Sequence, residues 1–415
     1  LVQNGDFSEE GSEEVSNGSF SQEGVQLVTN GSFDTDSDWA KGTGWSISGG
    51  SANCDGTQTS GTNLIQNGLA LGTNKIFKIE FELKDYQAGE LIYVNLTGTG
   101  ILEFENINAN GTYVAYSGLS TGDNFITFRA DADFIGSIDN VSVREVGQDW
   151  SFTSGATLTA LGAKITHTPT AGSIAQLSVL TIGKQYKLTY EITESISGGL
   201  KFNSAVDASM VTTVGVHTKY FEADGTTAVF GRTSATDNDV TITNISVKEV
   251  LQDWSVEDYG AVSASAVITP NTEGVKLEKT VSADWRSSFL VQPISYTAGS
   301  QYKITFRLKN GNLPSGGSVF VRAAYDSSSQ NIATSLSLTN DWVEYTYYFV
   351  ADSNSLDISF GEVNWQNAGV GEYFYIDDVS VIEITDDTNL PRINYEGFSY
   401  QDALGSELVT NGDFS

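Results

Sequence analysis

Two short runs, Trp285-Arg286 and Asn364-Trp365-Gln366, set an indole beside planar hydrogen-bonding groups. An indole face stacks on the apolar C–H surface of a sugar ring, while guanidinium and amide groups bond its hydroxyls. These five residues are therefore the candidate carbohydrate-binding set. Catalysis has less to work with. The chain holds two histidines, His167 and His217, and a single cysteine, Cys54. That is too few for a Ser-His-Asp or Cys-His arrangement shared by repeated units. His167 falls in the alternating run 164–168 and reads as a strand residue. Cys54 lies in a Ser/Gly-rich loop with no basic neighbour and reads as an inert thiol. Carboxylates are so abundant that no pair stands out as a glycosidase dyad. The expectation is a protein that is not an enzyme.

The elements that must position such residues are β-strands. Hydrophobic residues make up 39% of the 415-residue chain, enough for several modest cores, and 42 Gly against 5 Pro suits a turn-rich β composition. The 52 acidic against 21 basic residues give a net charge of -31. That field repels phosphate backbones and anionic lipid, so neither nucleic acid nor membrane insertion is expected. No apolar run is long enough to span a bilayer, and one cysteine leaves no internal disulfide. The opening at Leu1, in mid-pattern, reads as a processed or partial chain.

Two repeats organise the sequence. Asn4-Gly5-Asp6-Phe7, Asn17-Gly18-Ser19-Phe20 and Asn30-Gly31-Ser32-Phe33 recur thirteen residues apart, and 408–414 restates the pattern. Each is a short strand, a turn suited to positive φ and an aromatic anchor. Such units need support from their neighbours, from a module or from a multi-chain shaft. The restart near residue 408 suggests an array that continues or joins head to tail with another copy. The longer repeat opens at Trp45-Ser46-Ile47, Trp150-Ser151-Phe152 and Trp254-Ser255-Val256. It continues through alternating strands at 77–81, 186–190 and 302–306, and closes at 138–143, 242–247 and 376–381. Short alternating runs between Gly/Asn/Asp/Thr clusters predict antiparallel sandwiches. Trp45, Trp150, Trp254 and Trp342 are assigned to structure because they recur or lead into strands. The third segment is the longest, and its extra residues hold the candidate sugar-binding set in loops on a rigid scaffold.

The leading 27–33, the central 302–306 and the closing 376–381 together resemble CenC-type carbohydrate-binding modules of families 4 and 9, with a galactose-binding-like jelly-roll fold. The resemblance spans most of residues 26–384. It implies a structural Ca²⁺ tying the N-terminal segment to the last strand, with Asp34, Asp139 and either Asp377 or Asp378 at the matching positions. The second module has Thr243-Asn244 there instead. The run 386–396 and the tandem Asn-Gly-Asp-Phe copies resemble bacteriophage tail-fibre and virion-appendage proteins. The expected organisation is all-β: short repeats at 1–25, jelly-roll sandwiches at 26–146, 147–250 and 251–384, and a linker with repeat restart at 385–415. The function implied is a non-enzymatic, glycan-binding component of a phage fibre or appendage, on the virion surface or extracellular. Its partners would be host cell-surface glycans and other virion or fibre proteins, with a homotrimer by analogy. The alternatives are an accessory region of a secreted polysaccharide-degrading enzyme, and a bacterial surface adhesin or spacer.

Overall fold

The structure is a computed structural model. It describes residues 1–384 apart from 97–100, 103, 105–106, 123–124, 168–171, 206, 259–263, 269–273, 281–287, 314–317, 324–329 and 363–369, and beyond them 394–395 and 398–399. Among these residues the fold is all-β, a tandem of antiparallel jelly-roll sandwiches. By internal contacts the chain divides into two units, one of Leu1–Ser12 with Glu249–Ser415 and one of Glu13–Lys248.

In the first sandwich one sheet orders Gly111–Tyr116, Ile76–Ala88, Ile135–Val146, Ala52–Asp55 and Trp45–Ile47. The other orders Ala40–Lys41, Thr62–Asn67, Phe125–Ala130, Leu91–Leu96 and Ile101–Leu102. The second sandwich pairs a sheet of Ala156–Thr159, Gly162–Thr166, Asp239–Val250, Gln185–Ser197 and Gly215–Glu222 with one of Ser151–Phe152, Ser173–Gln176, Ala228–Arg232 and Leu200–Phe202. The third repeats the plan with Ala264–Ile268, Val275–Lys279, Tyr373–Ile384, Gln301–Asn310 and Val343–Val350. Its facing sheet runs Ser255–Asp258, Ser288–Ser295, Ser355–Glu362, Ser318–Ala323 and Gln330–Ser337.

Period-two patterning drives this arrangement, because alternate side chains of a strand leave opposite faces. Ile79, Phe81 and Leu83 are fully buried, as are Leu188 and Ile192 in the second sandwich and Ile304 and Phe306 in the third. Each closing strand lies inside its sheet and carries a positive-φ residue, Asn140 (53°), Asn244 (49°) or Asp378 (49°), and in the first and third sandwiches the ladder slips register there. In the first sandwich the slip falls between Asp139 and Ser142. A bulge of this kind frees the next backbone N–H from the ladder. Those N–H groups, on Val141, Ile245 and Val379, bond the carbonyls of Gly31, Gly18 and Gly5 at 2.9, 3.0 and 2.9 Å.

The N-terminal repeats are therefore caps, one per sandwich, taken in reverse order. In each cap the Phe N–H closes the turn onto the Asn carbonyl, at 3.2 Å for Phe7, 3.0 Å for Phe20 and 3.2 Å for Phe33. A tryptophan Nε1–H donates to that same Asn carbonyl: Trp254 to Asn4 at 3.2 Å, Trp150 to Asn17 at 3.2 Å, Trp39 to Asn30 at 3.1 Å. The Phe ring packs on the same indole, with centroids 5.2, 5.4 and 5.2 Å apart. The Asn side-chain carbonyl accepts from the N–H five residues on, at Glu9, Gln22 and Thr35. A buried glutamine then clamps the strand before the turn through both backbone groups of one residue. Gln292 holds Gln3 at 2.9 and 2.8 Å, Gln176 holds Ser16 at 2.8 and 3.1 Å, and Gln66 holds Thr29 at 2.9 and 2.6 Å.

Glycine is required at the centre of each cap by proximity. A Cβ on Gly5, Gly18 or Gly31 would stand 1.9, 1.8 or 2.1 Å from the carbonyl oxygen of Val379, Ile245 or Val141. Of the supports open from sequence, the described units take a module.

One equivalence drawn from sequence needs correction. The counterpart of Trp150 and Trp254 in the first sandwich is Trp39, which receives the cap, and not Trp45. Trp45 sits on a strand paired with Ala52–Asp55 and packs on Phe134 at 6.0 Å. Cys54 likewise lies on a strand rather than in a loop, buried at 3% exposure. Within residues 13–248 the first two sandwiches share packing: Ile76 and Val146 of the first belong to the buried cluster around Trp150 of the second. Among the described residues no helix is long and apolar enough to cross a membrane.

Candidate functional site

All five candidate sugar-binding residues, Trp285, Arg286, Asn364, Trp365 and Gln366, lie outside the described residues. The strands that carry the two loops are described. Trp285 precedes Ser288–Ser295 and Trp365 follows Ser355–Glu362, and these strands pair with Phe289 opposite Gly361. The described strand ends nearest these residues thus lie at the same end of one sheet.

The outward face of that sheet carries an arrangement that sequence reading missed. On Ser318–Ala323, Val319 and Val321 point into the core while Phe320 and Arg322 point out. The Arg322 guanidinium lies 4.4 Å from the Phe320 ring centroid and 5.1 Å from that of Phe289. Strand register relates this position to the first sandwich, where Val94 pairs Phe128 as Val321 pairs Phe360. Tyr93 then takes the place of Phe320, and Asn95 that of Arg322. Across from Tyr93 stands Arg129, with its guanidinium 6.0 Å from the Tyr93 ring centroid and Nη1 donating to Asn63 Oδ1 at 3.2 Å. The ladder shifts register between Arg129 and Ala130, leaving Ile92 exposed, and Tyr93 points outward by alternation with the buried Val94. In the second sandwich the corresponding residue is Lys201, opposite Gly231, so no aromatic faces out there.

In both faces a guanidinium lies beside an aromatic ring, a contact that restricts its rotamers. Asn95 Oδ1 is buried without a hydrogen-bond partner. A buried acceptor of this kind calls for a donor, and a hydroxyl supplies one. The faces suit apolar stacking with lateral hydrogen bonds, and among their described residues no nucleophile–base pair is seen. The histidines meet backbone: Asn238 N–H donates to His167 Nδ1 at 3.3 Å, and His217 Nε2 lies 2.6 Å from Thr213 O. Burial raises the Cys54 thiol to a pKa of about 11.

The four aspartates expected at an ion site are found with other partners. Asp34 accepts from Ser32 Oγ at 2.7 Å on an exposed turn. Asp139 is buried, accepts from Asn140 N–H at 2.7 Å and pairs with Lys84 Nζ at 2.6 Å. Arg307 Nη1 lies 3.5 Å from Asp377 and 2.9 Å from Asp378. The Asp139 hydrogen bond raises the Lys84 pKa. A calcium ion would have to displace these cations, and among the described residues no three His, Cys, Asp or Glu side chains gather as a cage. In the second sandwich the matching Thr243 donates to Ser19 O at 3.4 Å.

The described fold is a tandem of antiparallel jelly-roll sandwiches, the first and third of which carry an outward aromatic ring beside an arginine. A family model described as a protein of unknown function (DUF642) matches residues 270–381. No curated protein matches the chain. Among solved structures, a CBM4 module is similar at 18% identity and TM-score 0.26, over 31% of this chain and 86% of its own. The tandem CBM22-1-CBM22-2 domain of Paenibacillus barcinonensis Xyn10C is similar at 11% identity and TM-score 0.26, over 86% of this chain and 97% of its own. TmCBM61, solved with beta-1,4-galactotriose, is similar at 14% identity and TM-score 0.23, over 32% of this chain and 89% of its own.

Proposed function

We propose that the chain is a non-enzymatic glycan-binding protein that presents sugars to the outward faces of its first and third sandwiches. The observation carrying this reading is the recurrence of an aromatic ring at register-equivalent positions, Tyr93 and Phe320, each with an arginine guanidinium beside it: Arg129 on the neighbouring strand in the first sandwich and Arg322 on the same strand in the third. Stacking places the apolar face of a pyranose on Tyr93 or Phe320, and Arg129, Asn63, Asn95 and Arg322 bond its hydroxyls. In the third sandwich Trp285-Arg286 and Asn364-Trp365-Gln366, which adjoin in sequence the paired strands Ser288–Ser295 and Ser355–Glu362, remain part of the proposed sugar-binding set. Its setting would be extracellular or on a virion, where an appendage reaches host-cell glycans. That finer setting rests on the run 386–396 alone, because the N-terminal repeats serve as caps and contribute no shaft. An accessory region of a polysaccharide-degrading enzyme would use the same faces.

A glycan array tests the reading with the full chain and with Tyr93→Ala, Phe320→Ala, Trp285→Ala and Trp365→Ala. Loss of one stacking ring costs about 1–3 kcal/mol, or roughly 5- to 150-fold in affinity for the glycan that face binds. Undiminished binding in all four variants refutes the proposal.

A further inference from the structure

The dock on the third sandwich reads its cap almost entirely through backbone, glycine and one aromatic ring. Gln292 holds the two backbone groups of Gln3, Val379 N–H bonds Gly5 O, and Trp254 bonds Asn4 O while its indole carries Phe7. The docked octapeptide is Leu-Val-Gln-Asn-Gly-Asp-Phe-Ser. Residues 408–415 read Leu-Val-Thr-Asn-Gly-Asp-Phe-Ser, identical but for Thr410 in place of Gln3. That one difference falls where only backbone is read. The first sandwich already accepts threonine there, since Gln66 clamps Thr29 at 2.9 and 2.6 Å. Each of the three described docks is filled by an N-terminal cap, so the 408–415 sequence enters one of these docks only when its cap is released.

We propose that the groove formed by Gln292, Val379, Trp254 and Val381, whose carbonyl accepts from the Leu1 amine at 2.9 Å, is an exchangeable peptide-binding site, and that its second ligand is the 408–415 segment of another copy of this chain. Such a contact joins unlike surfaces and so propagates head to tail rather than closing on itself. The resident cap has the advantage of covalent attachment, equivalent to an effective concentration of about a millimolar for a short flexible tether. Exchange therefore follows release of residues 1–8, which the exposed Ser8, Glu9 and Glu10 leave open to cleavage.

The test uses the full chain with a protease site inserted after Ser8, cleaved while folded. Fluorescence anisotropy then follows a labelled Leu-Val-Thr-Asn-Gly-Asp-Phe-Ser peptide. The expected result is saturable uptake, competed by unlabelled Leu-Val-Gln-Asn-Gly-Asp-Phe-Ser at comparable concentration. A peptide carrying Gly412→Val should bind about 10- to 100-fold more weakly, because it loses a buried hydrogen bond against Val379. If the cleaved cap stays in place, the same titration on the chain lacking residues 1–8 decides the matter, and refolding by the peptide counts as binding. Failure of the 408–415 sequence to bind where the 1–8 sequence does, or equal binding of the Gly412→Val peptide, overturns the proposal.

Discussion

Phe20→Ala tests whether a cap belongs energetically to its sandwich. Phe20 is 6% exposed and packs on Trp150 and Phe152 at 5.4 and 6.2 Å. Truncating a buried phenylalanine costs about 3–5 kcal/mol when the site cannot collapse. Here the loss has a ceiling, because the cap can peel away once further strain exceeds its own docking free energy. The lower end, about 3 kcal/mol, is therefore expected. For a unit the size of residues 13–248 that lowers the melting temperature by about 6–12 °C. Differential scanning calorimetry of the full chain reads this directly. Phe20→Ala should move the transition of residues 13–248, Phe7→Ala should move that of the other unit, and Ser21→Ala should move neither. A Phe20→Ala transition within about 1 °C of the parent would show that the cap is an ornament, and the reasoning from burial would be wrong.

Two smaller predictions concern titration. Because burial raises the Cys54 thiol to about 11, iodoacetamide at pH 8 should leave it unmodified in the folded chain and alkylate it after denaturation; comparable rates in both states would contradict its burial. Hydrogen bonds from the Ser209 backbone and hydroxyl, with Lys219 adding to them, lower Asp207 to a pKa of about 2. A depressed carboxylate contributes stability above its unfolded value of 3.8 that disappears as pH falls through about 2. Asp207→Asn should therefore destabilise at pH 6 and converge with the parent near pH 2 in urea melts, by a modest amount because the carboxylate is exposed. A gap that stays constant over that range would remove Asp207 from the account.

The sandwich itself was legible because its signals are local. Alternation in 77–81, 186–190 and 302–306 names a half-buried strand wherever it occurs, and the Ile-x-x-Val/Ile-Ser-Val closings mark the same bulged strand three times. Cap pairing was not legible, because Asn-Gly-x-Phe specifies a turn but carries no address. Its partners lie as far as 380 residues away, where Val381 meets Leu1, and the clamping Gln292, 289 residues from Gln3, looks like any other polar position inside a strand. Trp39 was recoverable: Asp38-Trp39 matches Asp149-Trp150 and Asp253-Trp254, and Asp38 and Asp149 share φ near 70°. Trp45-Ser46-Ile47 imitated the opening more closely and drew the alignment six residues too far along. On the outward face, Tyr93 and Phe320 stood in strands whose other faces fill the core, and only register shows that they are equivalent. Trp285 and Trp365 were singled out by segment length, a signal that does not report what surrounds them, and both lie outside the described residues.

Amide hydrogen exchange at Val141, Ile245 and Val379 gives the most direct test of the reversed capping, in chains carrying Gly31→Val, Gly18→Val or Gly5→Val one at a time. The account expects each substitution to deprotect only its own partner, so that the first repeat governs Val379 and the third governs Val141. Deprotection in chain order, with Gly5→Val acting on Val141, or equal protection in all three variants, would contradict it.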